Sequence, residues 1–194
     1  MAETTMAMNP SVAADMKFDL AKTERAQRKT LITVAEWTPA GATQPEREIL
    51  GARTEDSSIE FNPDVQTSTD ILGITYTDVN KTEPQQSFDP FYLLGGSKLG
   101  EYLAAAALAN RIADFNGKFN VYIVAAYIND KTATAAATKY KAVKHTGCSI
   151  IPTSMGGDSY VSMPIDVYYS NDITEGTVDK LANDFVFTAD TATA

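Results

Sequence analysis

His145 and Cys148 are the single histidine and the single cysteine of this 194-residue chain. Both side chains are raw material for chemistry, since imidazole and thiolate serve as nucleophiles, bases and metal ligands. One of each is too few. A structural zinc site or an iron cluster of the usual kind needs several such ligands, and a lone thiol forbids an internal disulfide. Cys148 is therefore expected to be a buried structural thiol and His145 a strand residue at a surface or interface. Gly95, Gly96, Ser97 and Lys98 superficially match a phosphate loop, but that motif needs a Gly-Lys-Ser/Thr order after an earlier glycine and a strand. The four residues read instead as the cap of a helix. Asp64, Asp70 and Asp78 lack the alternate spacing and central glycine of a calcium loop. Asn80-Lys81-Thr82 spells a glycosylation triplet without meaning unless the chain is secreted. Nothing among the many carboxylates selects an acid/base pair, so no catalytic residue, cofactor or metal site is expected, and the chain reads as a non-enzyme.

The elements around these residues begin with charge. The net charge is −9, and residues 36 to 101 alone carry −8. Tight nucleic-acid binding draws mainly on Lys and Arg at phosphates, and no basic cluster exists, so such binding is not expected. Two uses of the acidity stay open: solubility, and a surface that repels DNA. Nowhere do eighteen apolar residues run together, so no membrane-spanning helix is expected. The first twenty residues have neither a basic start nor an apolar stretch, which predicts no secretory signal and folding in a cytoplasm.

Hydrophobic patterning predicts a mainly β chain: an antiparallel β-sandwich or partly closed barrel with one flanking α-helix and a long β-hairpin arm. Residues 1 to 30 are small and polar and read as an arm, residues 31 to 187 as one domain, and residues 188 to 194 as a flexible tail. Leu31 to Trp37 alternates as a strand, and Thr38 to Glu48, with its two prolines and a glycine, as a loop. Ser58 to Asn62 and Gln85 to Phe88 form the base of a hairpin whose loop, about Asn62 to Pro84, is far longer than a turn needs. Long connections within a domain are uncommon and often act on something outside it. This one carries Val65, Ile71, Leu72, Ile74, Tyr76 and Val79, which a solvated linker would lack, so it is expected to dock onto another chain. Ser97 caps a helix whose formers run from Lys98 to Ile112 and which spans about residues 98–115, ended by Asn116 and Gly117. Leu99, Tyr102, Leu103 and Ala106 form one apolar face; Leu108, Ile112 and Phe115 project from roughly the opposite side and are a candidate inter-subunit face, with packing under the same chain's own loop the equal alternative. Phe119 to Ile128 reads as a strand buried on both sides, Asn129 to Thr138 as a connection, and Lys139 to Ile151 as another strand. Gly156, Gly157 and Asp158 make a tight turn. Val161 to Ser170 alternates, and Pro164 marks it as an edge or bulged strand. Val178 and Phe185 to Phe187 supply a last short strand.

The order of these segments resembles the major tail tube proteins of long-tailed bacteriophages, siphophage-like. The likeness covers roughly residues 31 to 180 and rests on a strand, an acidic arm from Thr54-Glu-Asp-Ser-Ser-Ile-Glu60, a return strand ending Phe88-Asp-Pro-Phe91, one helix, a buried strand and then Gly156-Gly157-Asp-Ser-Tyr-Val-Ser-Met-Pro-Ile-Asp166. It implies a virion structural subunit that forms six-membered rings, stacked into a tube around a DNA channel lined by inner strands of all six copies. The long hairpin would reach the adjacent ring, so Asp64, Val65, Asp70, Ile71, Leu72, Ile74, Tyr76 and Val79 become the stacking loop. Glu60, Asp64, Asp70, Asp78 and Glu83 become candidate lumen acids that keep DNA from sticking. Implied partners are other copies of the chain, a tape measure protein and tail terminator or tip proteins, with DNA passing without tight binding and no membrane; assembly would take place in the bacterial host cytoplasm. The long start, residues 1 to 30, departs from the simplest family pattern. Two rival classes stay open: the inner tube of a contractile tail or injection device, and an adhesin-like or carbohydrate-binding β-sandwich.

Overall fold

The computed structural model describes residues 16–54, 56–130, 139–179 and 185–190. In chain order the strands are β1 (Met16–Phe18), β2 (Leu31–Trp37), β3 (Glu46–Ile49), β4 (Ile59–Glu60), β5 (Pro63–Thr69), β6 (Thr75–Thr82) and β7 (Gln85–Phe88). The helix α1 (Lys98–Leu108) follows, and then β8 (Phe119–Asp130), β9 (Lys139–Pro152), β10 (Ile165–Tyr168), β11 (Ile173–Asp179) and β12 (Phe187–Ala189). The chain is mainly β and antiparallel, with one α-helix among the described residues. Among the described residues ten strands join one sheet, whose main path runs β3-β2-β8-β9-β10-β7-β4. Its end strands β3 and β4 are not paired with each other, so the sheet is not closed into a barrel. β5 and β6 form a separate two-stranded sheet.

The chain divides into two compact units. The first holds residues up to Ile32, Ile123–Lys144 and residues from Thr174 onward. In it β1 pairs with the end of β8, and β11 pairs with β12. Val124, Ala142 and Val178 are buried together, with Ile32, Tyr140, Phe185 and Phe187 packed against them. Lys141 Nζ binds the carboxylates of Glu175 and Asp190 at 2.6 and 3.1 Å, tying β9 to both partners of the β11/β12 pair. Thr188 and Ala189, expected to be a loose tail, are thus paired strand; residues 191–194 and the predicted connection at 131–138 lie outside the described residues. Asn129 and Asp130, assigned to that connection from sequence, end β8.

The second unit, Thr33–Tyr122 and His145–Ile173, holds the larger core. Trp37, Tyr102, Phe115 and Phe119 form a connected aromatic group with ring centroids 5.4 to 6.5 Å apart, the spacing of edge-on and offset pairs. β10 inserts Ile165 and Val167, both fully buried, and pairs with β9 on one side and β7 on the other. It is therefore an interior strand, which corrects the edge assignment from Pro164. The proline sits one residue before the strand starts, where no ladder amide is required; its carbonyl accepts from the Thr153 amide at 2.9 Å. Likewise β3 begins at Glu46, inside the predicted loop, because the two prolines of that stretch precede the segment that pairs Glu46–Ile49 with Val34–Trp37.

The helix also ends sooner than its sequence suggests. Asn110 adopts a left-handed backbone (φ 55°), its amide reaches the Ala107 carbonyl, and the Arg111 amide reaches back to Ala106 at 2.8 Å. That is a Schellman motif with asparagine in the position glycine usually takes. Ile112–Phe115 forms a separate 3-10 turn. Consequently Leu108, Ile112 and Phe115 do not make one helix face: Leu108 is exposed, whereas Phe115 is buried against Tyr102 and Phe119 and cannot serve an inter-subunit contact.

Candidate functional site

The two residues with most intrinsic reactivity are both structural. His145 is buried, with its ring edge against Tyr169 and its Nδ1 2.8 Å from the Ser170 carbonyl. A carbonyl only accepts, so Nδ1 carries the hydrogen. Of the surface or interface position expected for it, the surface is not observed, since β9 turns this side chain inward. Cys148 is fully buried between the His145 carbonyl and the Ser170 amide, and burial pushes its thiol up, away from the reactive thiolate. Among the described residues no group of three or more His, Cys, Asp or Glu is placed to hold a metal ion.

The Gly95–Lys98 segment opens α1 as a cap. Ser97 Oγ accepts from the Gly100 amide at 2.9 Å, and the Glu48 carboxylate accepts from Ser97 Oγ at 2.6 Å and the Leu99 amide at 3.0 Å. The chain's own carboxylate thus occupies the place an anion would take at the helix start. Glu36, buried in the same unit, accepts from Asn120, Tyr122 and Arg47. Burial raises its pKa, but those hydrogen bonds and the Arg47 charge outweigh it and leave the carboxyl below its ordinary value. Burial foremost, and then the Glu36 charge, push Tyr122 up. Each group is satisfied, so the cluster holds β2, β3 and β8 together instead of presenting a base.

The over-long segment between Asn62 and Pro84 forms a separate two-stranded sheet. It is not an irregular loop: β5 and β6 zip into a ribbon, register Val65↔Val79, Gln66↔Asp78, Thr67↔Thr77, Ser68↔Tyr76 and Thr69↔Thr75, and among the described residues pair with no other strand. Thr, Val and Tyr favour this extended pairing. At its tip Asp70 and Gly73 close a β-turn, the Gly73 amide reaching the Asp70 carbonyl at 3.0 Å, with Gly73 at φ 78° where a side chain would be strained. Asp70 Oδ1 accepts from the Leu72 and Ile74 amides at 2.8 and 2.9 Å, and Oδ2 from the Tyr76 hydroxyl at 3.3 Å. The Ile74 amide above all lowers its pKa; desolvation opposes it, and the Leu72 amide and Tyr76 hydroxyl add to the lowering.

This geometry sorts residues that sequence had grouped. Because side chains alternate along a strand, Val65, Thr67, Thr69, Thr75, Thr77 and Val79 share one face, with the Thr69 and Thr75 hydroxyls 3.2 Å apart. Gln66, Ser68, Tyr76, Asp78 and Asn80 share the other, where Asn80 reaches Asp64 at 3.3 Å. Asp64 and Val65 therefore do not work on one surface. Of the candidate lumen acids, Asp70 holds the turn, Glu83 pairs with Lys81, Glu60 accepts from Gln85 at 3.3 Å, and Asp64 and Asp78 stand exposed on the polar face. The tip carries Ile71, fully exposed at 102%, and Leu72 at 78%. Apolar side chains so placed gain nothing until something covers them. The two-face division was legible only once the register was known, since a shift of one residue exchanges the faces. Among the described residues no helix is long and apolar enough to cross a membrane. The chain matches no protein-family model, and no curated protein matches it.

Proposed function

We propose that the chain is a structural, non-enzymatic subunit of a bacteriophage tail tube, which self-assembles into stacked six-membered rings around an acidic channel for DNA. The observation that carries this reading is the ribbon Pro63–Thr82: almost wholly exposed, paired among the described residues only with itself and tipped by Ile71 and Leu72. A two-stranded ribbon is marginal in water on its own. It becomes useful when a neighbouring copy receives it, and a head-to-tail contact of this kind repeats into rings or filaments. The concentration of −8 in residues 36 to 101 supports a channel surface that does not retain nucleic acid. The location that follows is the virion tail.

Negative-stain microscopy of the purified full chain, next to a variant lacking Val65–Val79, tests the reading. Rings or tubes are expected from the full chain and folded monomers from the variant. Uniform monomers from the full chain at high concentration, or tubes of normal length from the variant, would overturn it.

A further inference from the structure

We infer that the ribbon docks on a second copy of this chain through its Val65, Thr67, Thr69, Thr75, Thr77 and Val79 face, leaving the Asp64 and Asp78 face in water. The inference rests on the self-assembly proposed above and adds which side of the ribbon makes the contact. The first reason is charge. Every copy carries −9, so a contact between copies has to avoid bringing unpaired carboxylates together out of water. None of those six Val and Thr side chains is ionisable, whereas the opposite face bears Asp78 and Asp64; Lys81 lies beyond Val79, where the register shifts, and pairs with Glu83. A cationic partner would select the opposite side, so the choice of face reports the choice of partner.

The second reason is area. Strands of this length span about 23 Å and a two-stranded ribbon is about 10 Å wide, so one face covers on the order of 250 Å². A stable pairwise interface takes about 800 Å² on each partner. One ribbon face is too small to hold a lone heterodimer. It suits a contact that symmetry repeats, in which each copy gives one ribbon and receives another. The methyl groups of six β-branched side chains present a flat, stiff surface that loses little rotamer freedom when covered.

The test compares neighbouring positions on opposite faces of the otherwise intact chain. Thr77→Lys should raise the concentration needed for assembly, read by sedimentation and microscopy, about tenfold or more, because it buries a charge. Gln66→Lys, one register step away on the other face, should change it less than about threefold. A second readout is independent of whether lysine disturbs the ribbon: a polarity-sensitive fluorophore on Thr67→Cys or Gln66→Cys, with Cys148 buried and unlabelled. Emission should shift to the blue on assembly at position 67 alone. Equal effects on both faces, or a blue shift confined to position 66, would overturn the face assignment while leaving self-assembly standing. A wild-type chain that never assembles would overturn both.

Discussion

The ribbon and the aromatic core lie in the same unit and are both rich in large apolar residues, yet they handle those residues in opposite ways. In the core, Trp37, Tyr102, Phe115 and Phe119 cover one another, and buried polar groups are recruited to fit: Gln86 receives the hydroxyls of Thr33 and Tyr169 and donates to Ser57. In the ribbon the polar groups are the satisfied ones. Asp70 absorbs two amides and a hydroxyl, while Ile71 and Leu72 face water. Apolar content alone therefore does not mark a core. What separates core from contact surface is whether the fold supplies the covering side chains.

The sharpest way to break that comparison is to damage each region. Phe119→Ala should cost about 3–5 kcal/mol, because the cavity opens among rings that cannot collapse into it. Denaturant unfolding followed by near-UV circular dichroism would read it. Deleting Val65–Val79 should leave the melting temperature within about 2 °C of wild type, since among the described residues the ribbon pairs with no other strand. A deletion that unfolds the chain would make the ribbon part of the core.

Next in size is the buried polar shell. Gln86→Leu should cost about 1–3 kcal/mol, since it removes the buried oxygen that accepts from the Thr33 and Tyr169 hydroxyls and the amide that donates to Ser57. Glu36 gives the acid side of the same shell. Its folded pKa lies below the ordinary 4.5, so its contribution is fully present above that value and is lost as pH falls through the folded pKa. Stability should decline on acidification below about pH 4.5, and Glu36→Gln should make that decline shallower, as thermal melts across the range would show. An unchanged slope would remove Glu36 from the acid response.

Where the fold was legible, local pattern and packing agreed. Leu31–Trp37 and Gln85–Phe88 have the bounds their alternation predicts, and Ser97 caps the helix it precedes. Where it was not, a single residue's backbone or a distant partner decided the outcome. Asn110 stops α1 through a left-handed conformation that a helix-forming alanine run conceals. Pro164 indicated an edge, but a proline just outside a strand places no demand on its neighbours. Glu48 reaches the helix start from 49 positions away in sequence, which no spacing rule anticipates. For the site, the excess length and apolar tip of the segment were legible from composition. Its two faces were not, because register follows from a turn whose controlling residue, Asp70, had been grouped with the free acids.

The smallest expected effect concerns that residue. Asp70→Ala removes the acceptor for the Leu72 and Ile74 amides and for the Tyr76 hydroxyl, while the Gly73 turn and the strand ladder remain. Asp70→Asn keeps the one oxygen that accepts both amides and loses the charge together with the oxygen that accepts from the Tyr76 hydroxyl. Because the ribbon is a sheet separate from the large one among the described residues, both variants should leave global stability within about 0.5 kcal/mol of wild type. The change should appear locally, as faster hydrogen exchange at Leu72 and Ile74 in the alanine variant and an intermediate rate in the asparagine variant. If Asp70→Ala instead lowered global stability on the scale of Phe119→Ala, the turn would belong to the cooperative core. The ribbon could then no longer be treated as a surface held ready for another copy.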